Sequence, residues 1–310
     1  MTSKPTVLIT GGLGFIFSHV VEHFVEKGWK VHVADNLSEG SHPEVLDALT
    51  GKMHFYDIDV STDKIGALIK KLAPEYVIHA AANSDVDNSI SNPEFTFINN
   101  AISTVKVFEA CRALPHLKRL LYVSTDEVYG ECDHRRKEDE ILFPRNPYSL
   151  SKAVGSILRL AWDNTYQELN KKTVESRFCN IFGPRQDPRK IIPAIKRALD
   201  TGHPVTLHNG GVGYREWLYV KDIPPVVEVL LMKGHRTYNI TANKGYTVKE
   251  LIAKAQIVAG KTVPVVQGKR AGLDIRYQMD GTRFAEEFKW KPQYDFDKAF
   301  AATMRGEVLP

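Results

Sequence analysis

The chain has 310 residues, of which 43% are hydrophobic and 25% charged, so it can bury a large core and is not disordered. Its net charge of +4 suits anionic small molecules and gives no reason to expect nucleic acid or a membrane surface as a partner. Because Cys111, Cys132 and Cys179 lack metal-type spacing and the N-terminus leaves no room for a signal segment, we expect a cytoplasmic protein without a metal.

Short β-branched runs alternate with amphipathic segments through the first half of the chain. Strands are predicted at 6–10, 30–34, 52–58, 75–81 and 117–125, and helices at 17–28, 64–73 and 93–114. Strands that alternate with helices form βαβ units. The pattern therefore predicts an α/β fold with a Rossmann-type, doubly wound parallel sheet and right-handed crossovers.

The second half is less regular. A strong helix is predicted at 146–168 and a strand at 173–178, after which Gly and Pro separate shorter elements. We predict two units, a Rossmann domain and a smaller, interwoven C-terminal lobe: 1–176 plus roughly 216–238, and 177–215 plus 239–310. The charge run at 134–140 predicts a solvated loop, to which we assign no chemistry.

A glycine-rich turn lies between the first predicted strand and the first predicted helix. Gly11, Gly12 and Gly14 allow backbone N–H groups to approach a pyrophosphate at the helix N-terminus. Asp35, at the end of the second strand, is placed to bond the ribose hydroxyls of NAD and to disfavour the extra phosphate of NADP. Two residues at the end of the third strand are placed to flank the adenine: Asp57 and Ile58.

Phe17 stands where such a turn usually has its third glycine. That glycine allows close packing of the helix on the strand and does not contact phosphate. A phenyl ring there overpacks the contact, at a cost of about 1–3 kcal/mol. We expect the turn to hold NAD, with a shifted helix as the accommodation.

Tyr148 and Lys152 are four residues apart at the start of a predicted helix and therefore share one face. An ammonium beside a phenol is expected to lower the pKa of the tyrosine, which would make it a general base. "STDEVYG" places a hydroxyl and two carboxylates, Asp126 and Glu127, at the carboxyl edge of the sheet, where such folds bind ligands. Both acids can reach one substrate only if the chain leaves strand geometry there.

These motifs, with "DNLSEG", "VIHAAA", "PYSLSK", "RFCNIFGP" and "YREWLYVKD", occur in the order seen in extended short-chain dehydrogenases/reductases. The chain most resembles the nucleotide-sugar 4,6-dehydratases of that family, the dTDP-glucose 4,6-dehydratase group above all. The resemblance implies that Tyr148 serves C4 oxidation by NAD, that Glu127 removes the C5 proton and that Asp126 protonates the departing C6 oxygen. The stored hydride then returns to C6.

The resemblance also implies the binding residues. The predicted catalytic set is Thr125, Asp126, Glu127, Tyr148 and Lys152. The predicted NAD-binding set is Gly11, Gly14, Phe15, Ile16, Asp35, Asn36, Asp57, Ile58, Ala80, Ala81, Ala82, Asn100, Tyr148 and Lys152. The predicted nucleotide-sugar set is Ser84, Val86, Asn180, Arg215 and Arg276. Helices 93–114 and 146–168 are expected to pair with those of a second subunit in a four-helix seam of a homodimer.

Three positions depart from the dTDP-glucose pattern: Asp85, Asn88 and Leu273. They leave dTDP-glucose, UDP-glucose and UDP-N-acetylglucosamine open as substrates. A nucleotide-sugar 4-epimerase and a UDP-glucuronate decarboxylase remain the alternative enzymes, although Asp126 argues for dehydration. Phe17 motivates a non-enzyme alternative, a nucleotide-sugar-binding protein that has lost its cofactor site.

Overall fold

The computed structural model describes residues 4–169, 171–269 and 274–310. The strands are β1 Thr6–Thr10, β2 Lys30–Asp35, β3 His54–Asp57, β4 Tyr76–His79, β5 Arg119–Thr125, β6 Thr173–Phe178, β7 Asn180–Phe182, β8 Val205–His208, β9 Tyr214–Tyr219, β10 Thr237–Ile240, β11 Gly245–Thr247 and β12 Val265–Gly268. The helices are α1 Phe15–Glu26, α2 Pro43–Ala48, α3 Lys64–Leu72, α4 Val86–Ser91, α5 Pro93–Phe97, α6 Ser103–Arg112, α7 Pro147–Thr165, α8 Ile191–Thr201, α9 Ile223–Lys233, α10 Val248–Ala259, α11 Thr282–Phe288 and α12 Phe296–Arg305.

Seven parallel strands form the main sheet, in the order β10-β6-β5-β4-β1-β2-β3. The predicted doubly wound parallel sheet is therefore confirmed. The strand order reverses at β1, which pairs with β2 on one side and with β4 on the other. Ligands bind in such sheets beyond the carboxyl ends of the strands at this switch point.

The central strand β1 is buried on both faces, as its continuous apolar sequence requires. Val7 and Ile9 belong to the core cluster that includes residues of α1 and α9, and Leu8 belongs to the cluster that includes residues of α3 and α6. Alternate side chains of one strand thus pack into two different helical layers.

The predicted helix 93–114 is interrupted. A π-helical segment, Ile98–Ile102, separates α5 from α6. Asn100 lies in that segment with 2% of its surface exposed, and its side chain donates to the Asn83 carbonyl and to Ser151 Oγ on α7. The wider turn thus coincides with a buried polar contact that joins two helices and the loop after β4. Such π segments occur frequently at functional sites.

The second half of the chain forms two smaller sheets. β7, β9 and β11 make one, and β8 pairs with β12 in the other. A separate core cluster that includes Phe182, Trp217 and Phe300 packs residues of these strands with those of α8, α10 and α12. Within the described ranges, no helix has both the length and the apolar character of a membrane span.

Candidate active site

The glycine turn connects β1 to α1 and packs closely against the loop after β4. Gly11 has a φ of +67°, and a Cβ atom there would lie 2.6 Å from the Cα atom of Ala81. Gly14 is the N-cap of α1 and provides no side-chain cap. The N–H groups of the first turn of α1 are therefore left for an anion, which is the donor set that a pyrophosphate needs.

Phe17 lies in the hydrophobic core. Only 5% of its surface is exposed, and it belongs to the apolar cluster that includes Val21, Val33 and Val227. A ring buried among these side chains fills space between helix and sheet. The replacement of the packing glycine thus does not place an aromatic side chain in the solvent-facing phosphate turn.

Asp35 fastens the glycine turn to the end of β2. Its Oδ2 accepts a hydrogen bond from the Leu13 N–H at 3.0 Å, and its Oδ1 accepts one from the Ser41 hydroxyl at 3.2 Å. Asp57 is exposed at the end of β3, beside Asp35 in the parallel register, and the Ile58 N–H donates to the Asp35 carbonyl. The predicted adenosine-side residues therefore meet at one edge of the sheet.

The loop after β4 closes the other side of the turn. The N–H groups of Ala80 and Ala81 donate to Thr10 Oγ1 at 3.2 and 3.3 Å, and Ala82 follows them, partly buried. Asn100 Oδ1 accepts from the Asn83 N–H at 2.8 Å. Protein groups already bond to both ends of the Asn100 amide, so Asn100 stabilises this loop through its side chain. Four more predicted residues are partly or fully exposed near these loops: Phe15, Ile16, Asn36 and Ser84.

The carboxylate pair follows β5 directly. The strand ends at Thr125, and a 3₁₀ helix begins at Asp126 and ends at Tyr129. The Thr125 hydroxyl accepts from the Glu127 N–H at 3.4 Å and donates to Asp126 Oδ1 at 3.1 Å. The chain thus leaves strand geometry here, which is the condition for both acids to reach one substrate. Because a helical turn replaces the strand, the two acids are not forced to opposite faces of the sheet.

Burial opposes the ionisation of both acids. Burial, with a smaller contribution from the neighbouring Glu127, raises the pKa of Asp126 to about 7, while Arg215 opposes the rise. Burial also raises the pKa of Glu127, against Arg215 and against Asn146, whose Nδ2 donates to Glu127 Oε2 at 3.2 Å. No group among the described residues bonds to Asp126 Oδ2, which is buried. One carboxyl therefore keeps a proton near neutral pH and has an oxygen free of protein partners.

Tyr148 and Lys152 lie in the first turns of α7, which Asn146 caps by accepting from the Ser149 N–H at 2.8 Å. The expectation of a lowered tyrosine pKa is wrong for this structure. Burial raises the pKa of Tyr148, and the negative charges of Glu127 and Asp126 add to the rise. Burial also lowers the pKa of Lys152 to about 7, so a charged ammonium is itself costly here.

Three of the predicted substrate-side residues lie on the second half of the chain: Asn180, Arg215 and Arg276. Arg215 donates to the carbonyl oxygens of Tyr214 and Asp274 at 2.8 and 2.9 Å, and its guanidinium stacks on the ring of Tyr277 at 4.2 Å. Asn180 on β7 pairs with Trp217 on β9, two residues beyond Arg215. Arg215 is thus held by backbone groups and lowers the pKa of both acids, which places a fixed positive charge near them.

Arg276 and Val86 complete the predicted substrate-side residues whose surroundings can be described. The Arg276 guanidinium stacks on the ring of Tyr214 at 4.7 Å. Val86 begins α4 and is partly buried, next to Asp85, which caps that helix by accepting from the Asn88 N–H. Leu273 lies outside the described residues.

The charge run 134–140 is not the simple solvated loop that we expected. Arg135 pairs with Glu216, which is fully buried, and donates to the Met279 carbonyl at 2.9 Å. Glu138 is 8% exposed and accepts from the Asn239 N–H at 3.1 Å. The run was misjudged because its partners are distant in sequence, where no local pattern points to them.

Sequence reasoning also missed Asn146, Asp274 and Tyr277. Asn146 had a usable signal, because an Asn directly before Pro-Tyr is a typical N-cap followed by a proline in the first turn. Tyr277 donates from its hydroxyl to Asp274 beneath the Arg215 guanidinium. The stacking of Arg215 on Tyr277 joins residues that are distant in sequence, so no local spacing predicts it.

Comparison with known proteins gives the same assignment along nearly the whole chain. The family model described as GDP-mannose 4,6 dehydratase matches residues 8–303. The dTDP-glucose 4,6-dehydratase of Xanthomonas campestris pv. campestris (strain B100) is 31% identical over 328 residues, which cover 96% of this chain and 92% of that protein. A trifunctional UDP-glucose 4,6-dehydratase/UDP-4-keto-6-deoxy-D-glucose 3,5-epimerase/UDP-4-keto-L-rhamnose-reductase of Arabidopsis thaliana is 32% identical over 98% of this chain, which spans 47% of that enzyme.

Solved structures extend the likeness to three dimensions. The dTDP-glucose 4,6-dehydratase of Streptomyces venezuelae with NAD and TYD bound has a TM-score of 0.90 at 28% identity, over 97% of this chain and 96% of that one. The UDP-glucose 4-epimerase of Thermus thermophilus in complex with NAD has a TM-score of 0.88 at 28% identity, over 98% of this chain and 100% of that one. Because one fold serves dehydratases and epimerases, the residues of the site must separate them.

Proposed function

The chain belongs to the nucleotide-sugar 4,6-dehydratases of the extended short-chain dehydrogenase/reductase family, and on that premise we propose how its residues divide the reaction. The protein is an NAD-dependent hydro-lyase that converts a nucleotide-activated hexose to the 4-keto-6-deoxy sugar. The observation that carries the proposal is the adjacent pair of carboxyls, the buried Asp126, with a pKa of about 7, and the half-buried Glu127.

Tyr148 and Lys152 serve the oxidation at C4. Tyr148 takes the proton of the 4-hydroxyl as the phenolate, after its own proton has left, and Thr125, which opposes the rise of the Tyr148 pKa, helps to orient it. NAD, when bound, would supply the hydride acceptor for C4 and the hydride donor for C6. The uncapped start of α1, Gly11 and Asp35 are proposed to hold this cofactor.

Asp126 and Glu127 serve the elimination of water. The ketone at C4 acidifies the C5 proton, which the Glu127 carboxylate removes. Asp126, protonated near neutral pH, gives its proton to the departing C6 oxygen. Its Oδ2 is buried without a protein partner among the described residues, and this supports a role toward a substrate oxygen. An epimerase that acts only at C4 needs no such acid.

We propose that Arg215, Asn180 and Arg276 bind the diphosphate, with Ser84 and Val86 on the sugar side. Arginine suits phosphate because its fork is planar and always charged. The backbone carbonyls and the ring of Tyr277 hold Arg215 in one orientation, which supports this assignment. The predicted division between an NAD-binding domain and a nucleotide-sugar lobe also stays a proposal: 1–176 plus roughly 216–238, and 177–215 plus 239–310.

A homodimer is proposed through α7 and the segment that runs from α5 to α6. These helices pack side by side and expose apolar side chains at helical spacing: Phe95, Ile98, Ile102, Leu150, Ile157 and Leu160. A second copy of the same two helices would cover this face. We propose a cytoplasmic location, which is consistent with three buried cysteines that form no disulfide.

The substrate is tested by mass spectrometry of the purified protein incubated with NAD and, in parallel, dTDP-glucose, UDP-glucose, UDP-N-acetylglucosamine and GDP-mannose. We expect one of these to lose one water. If none loses water while the protein binds NAD and one sugar changes configuration at C4, the epimerase is the correct function. Failure to bind NAD would instead support the binding-protein alternative.

A further inference from the structure

The ammonium group of Lys152 is buried over the ring of a tyrosine. Lys152 is 4% exposed, and no carboxylate of the described residues lies within ion-pair distance of its Nζ. The Nζ atom lies 4.5 Å from the centroid of the Tyr122 ring. A cation over an aromatic face gains most when both are removed from water, as they are here.

Tyr122 is fixed in this position from several sides. It is fully buried on β5, and its hydroxyl donates to the Lys152 carbonyl at 3.0 Å. Gly155 provides the room, because a Cβ atom there would lie 2.1 Å from the Tyr122 hydroxyl oxygen. The rings of His79 and Phe108 flank it at centroid distances of 6.2 and 6.3 Å. One side chain thus meets both the backbone and the ammonium of the same lysine.

The other charged and titratable groups around Lys152 do little to stabilise its ammonium form. Glu175 on β6 raises the pKa of Lys152 but already pairs with Arg177 and Arg159. His79 on β4 is neutral, since burial lowers its pKa to about 3. Tyr148 on α7 keeps its proton because burial raises its pKa. The Tyr122 ring is therefore the favourable partner that contacts the ammonium most directly.

We propose that Tyr122 is a positioning residue that holds Lys152 in place and stabilises its ammonium form through the face of its ring. The proposal deepens the proposed function and rests on it, because Lys152 acts beside Tyr148 at C4. Tyr122 itself touches no reacting atom. It acts by keeping a positive charge next to the phenol at the pH where the phenol must lose its proton.

The test measures the titration of Lys152 directly on the full-length protein without substrate. Competitive acetylation across a pH series, read by peptide mass spectrometry, gives the pH at which Lys152 becomes reactive. We expect Tyr122→Leu to lower that pH by about one unit, a roughly tenfold change in ionisation. Tyr122→Phe keeps the ring and is expected to retain most of the effect. Phe108→Leu, a buried ring that contacts Tyr122 but is not paired with Lys152, is the matched control and should cause no shift.

A folded Tyr122→Leu protein in which Lys152 titrates as before would overturn the proposal, and so would an equal shift in Phe108→Leu. If Tyr122→Leu does not fold, Gly155→Ala pushes the ring away from the lysine and should cause the same downward shift. The alkaline limb of the pH dependence of kcat/KM for C4 oxidation should move with the labelling result. If the parent protein dehydrates none of the sugars but Tyr122→Leu still lowers the pH at which Lys152 becomes reactive, the proposed function is contradicted and this inference is supported.

Discussion

Asp126 loses almost all of its hydration when the chain folds, and Glu127 places a second acidic group beside it. Both effects keep a proton on Asp126 at a pH where a free carboxyl is ionised. The folded state therefore holds this proton more tightly than the unfolded chain does. The same property that suits an acid catalyst weakens the fold as the pH rises.

Asp126→Asn is expected to stabilise the protein at neutral and alkaline pH. The folded pKa of Asp126, about 7, lies above its ordinary value of 3.8, so its unfavourable contribution is absent below the ordinary value and grows as pH rises toward 7. We expect the free energy of unfolding of Asp126→Asn to exceed that of the parent by about 1–3 kcal/mol at pH 8. Urea unfolding at pH 8 and near pH 4 measures it. An advantage that is the same at both values would contradict the argument.

Dehydration is expected to fall as the pH rises through about 7, because Asp126 then loses the proton that it gives to the departing oxygen. C4 oxidation has an alkaline limb of its own, set by Lys152, whose pKa is also about 7, so the role of Asp126 is isolated by comparing the parent with Asp126→Asn. Product formation and transient NADH absorbance, followed across the same pH series, separate the two steps. In Asp126→Asn we expect water loss to drop by about 10²-fold or more while NADH still forms. Parallel loss of both signals would refute the assignment of Asp126 to elimination alone.

At the scale of elements, the start of α1 depends on one glycine. Gly11→Ala adds a methyl group 2.6 Å from the Ala81 backbone at a φ of +67°. We expect NAD affinity to fall by about tenfold or more, because the turn and the loop after β4 must separate. Gly28→Ala is the matched control, since its φ is +77° and no atom lies within 4 Å of the added methyl. Equal NAD affinity in the two variants, measured by titration calorimetry, would contradict this account.

The exposed apolar face of α7 is part of the proposed dimer seam. Leu160→Glu is expected to shift the protein to a monomer, because it places a charge in the proposed apolar seam. Light scattering after size-exclusion chromatography measures the mass. Ile257→Asp, a substitution of an 82% exposed apolar residue on α10, is the control and should leave the mass unchanged. A parent protein that is already monomeric would end the dimer proposal.

The elements that could be predicted from the sequence are those with a local signal. β1, the glycine turn and α7 each combine apolar periodicity with a turn or a cap, and all three occur as predicted. The π segment around Asn100 could not be predicted, because it depends on partners on α7 and after β4. The predicted lowering of the Tyr148 pKa was wrong for a related reason. Spacing shows that Lys152 neighbours Tyr148 but not how deeply both are buried.

At the scale of the whole molecule, the charge run joins the two halves of the chain. Arg135 pairs with the fully buried Glu216 and bonds to the Asn243 and Met279 backbones. Its partners are 81 or more residues away, which explains why the run looked like a solvated loop. The loop that follows the acid pair is thereby fixed to the second half of the chain.

Arg135→Met is expected to lower the free energy of unfolding by about 2–3 kcal/mol. That is less than the 3–5 kcal/mol typical when a buried pair is broken, because about a third of the Arg135 side chain is exposed and screened by solvent. Arg305→Met, which breaks the exposed pair with Glu307, should cause little measurable change. Chemical denaturation of the three proteins measures the difference. Similar stability in both variants would show that Glu216 finds other partners.

Asn146 has a consequence for how this site can evolve. One end of its amide caps the helix that carries Tyr148 and Lys152, and the other end holds the Glu127 carboxylate. The oxidising and the eliminating halves of the site therefore share one supporting residue. A mutation that displaces Asn146 is therefore expected to disturb both chemistries at once, whereas the replacement of an acid in place leaves the shared support intact.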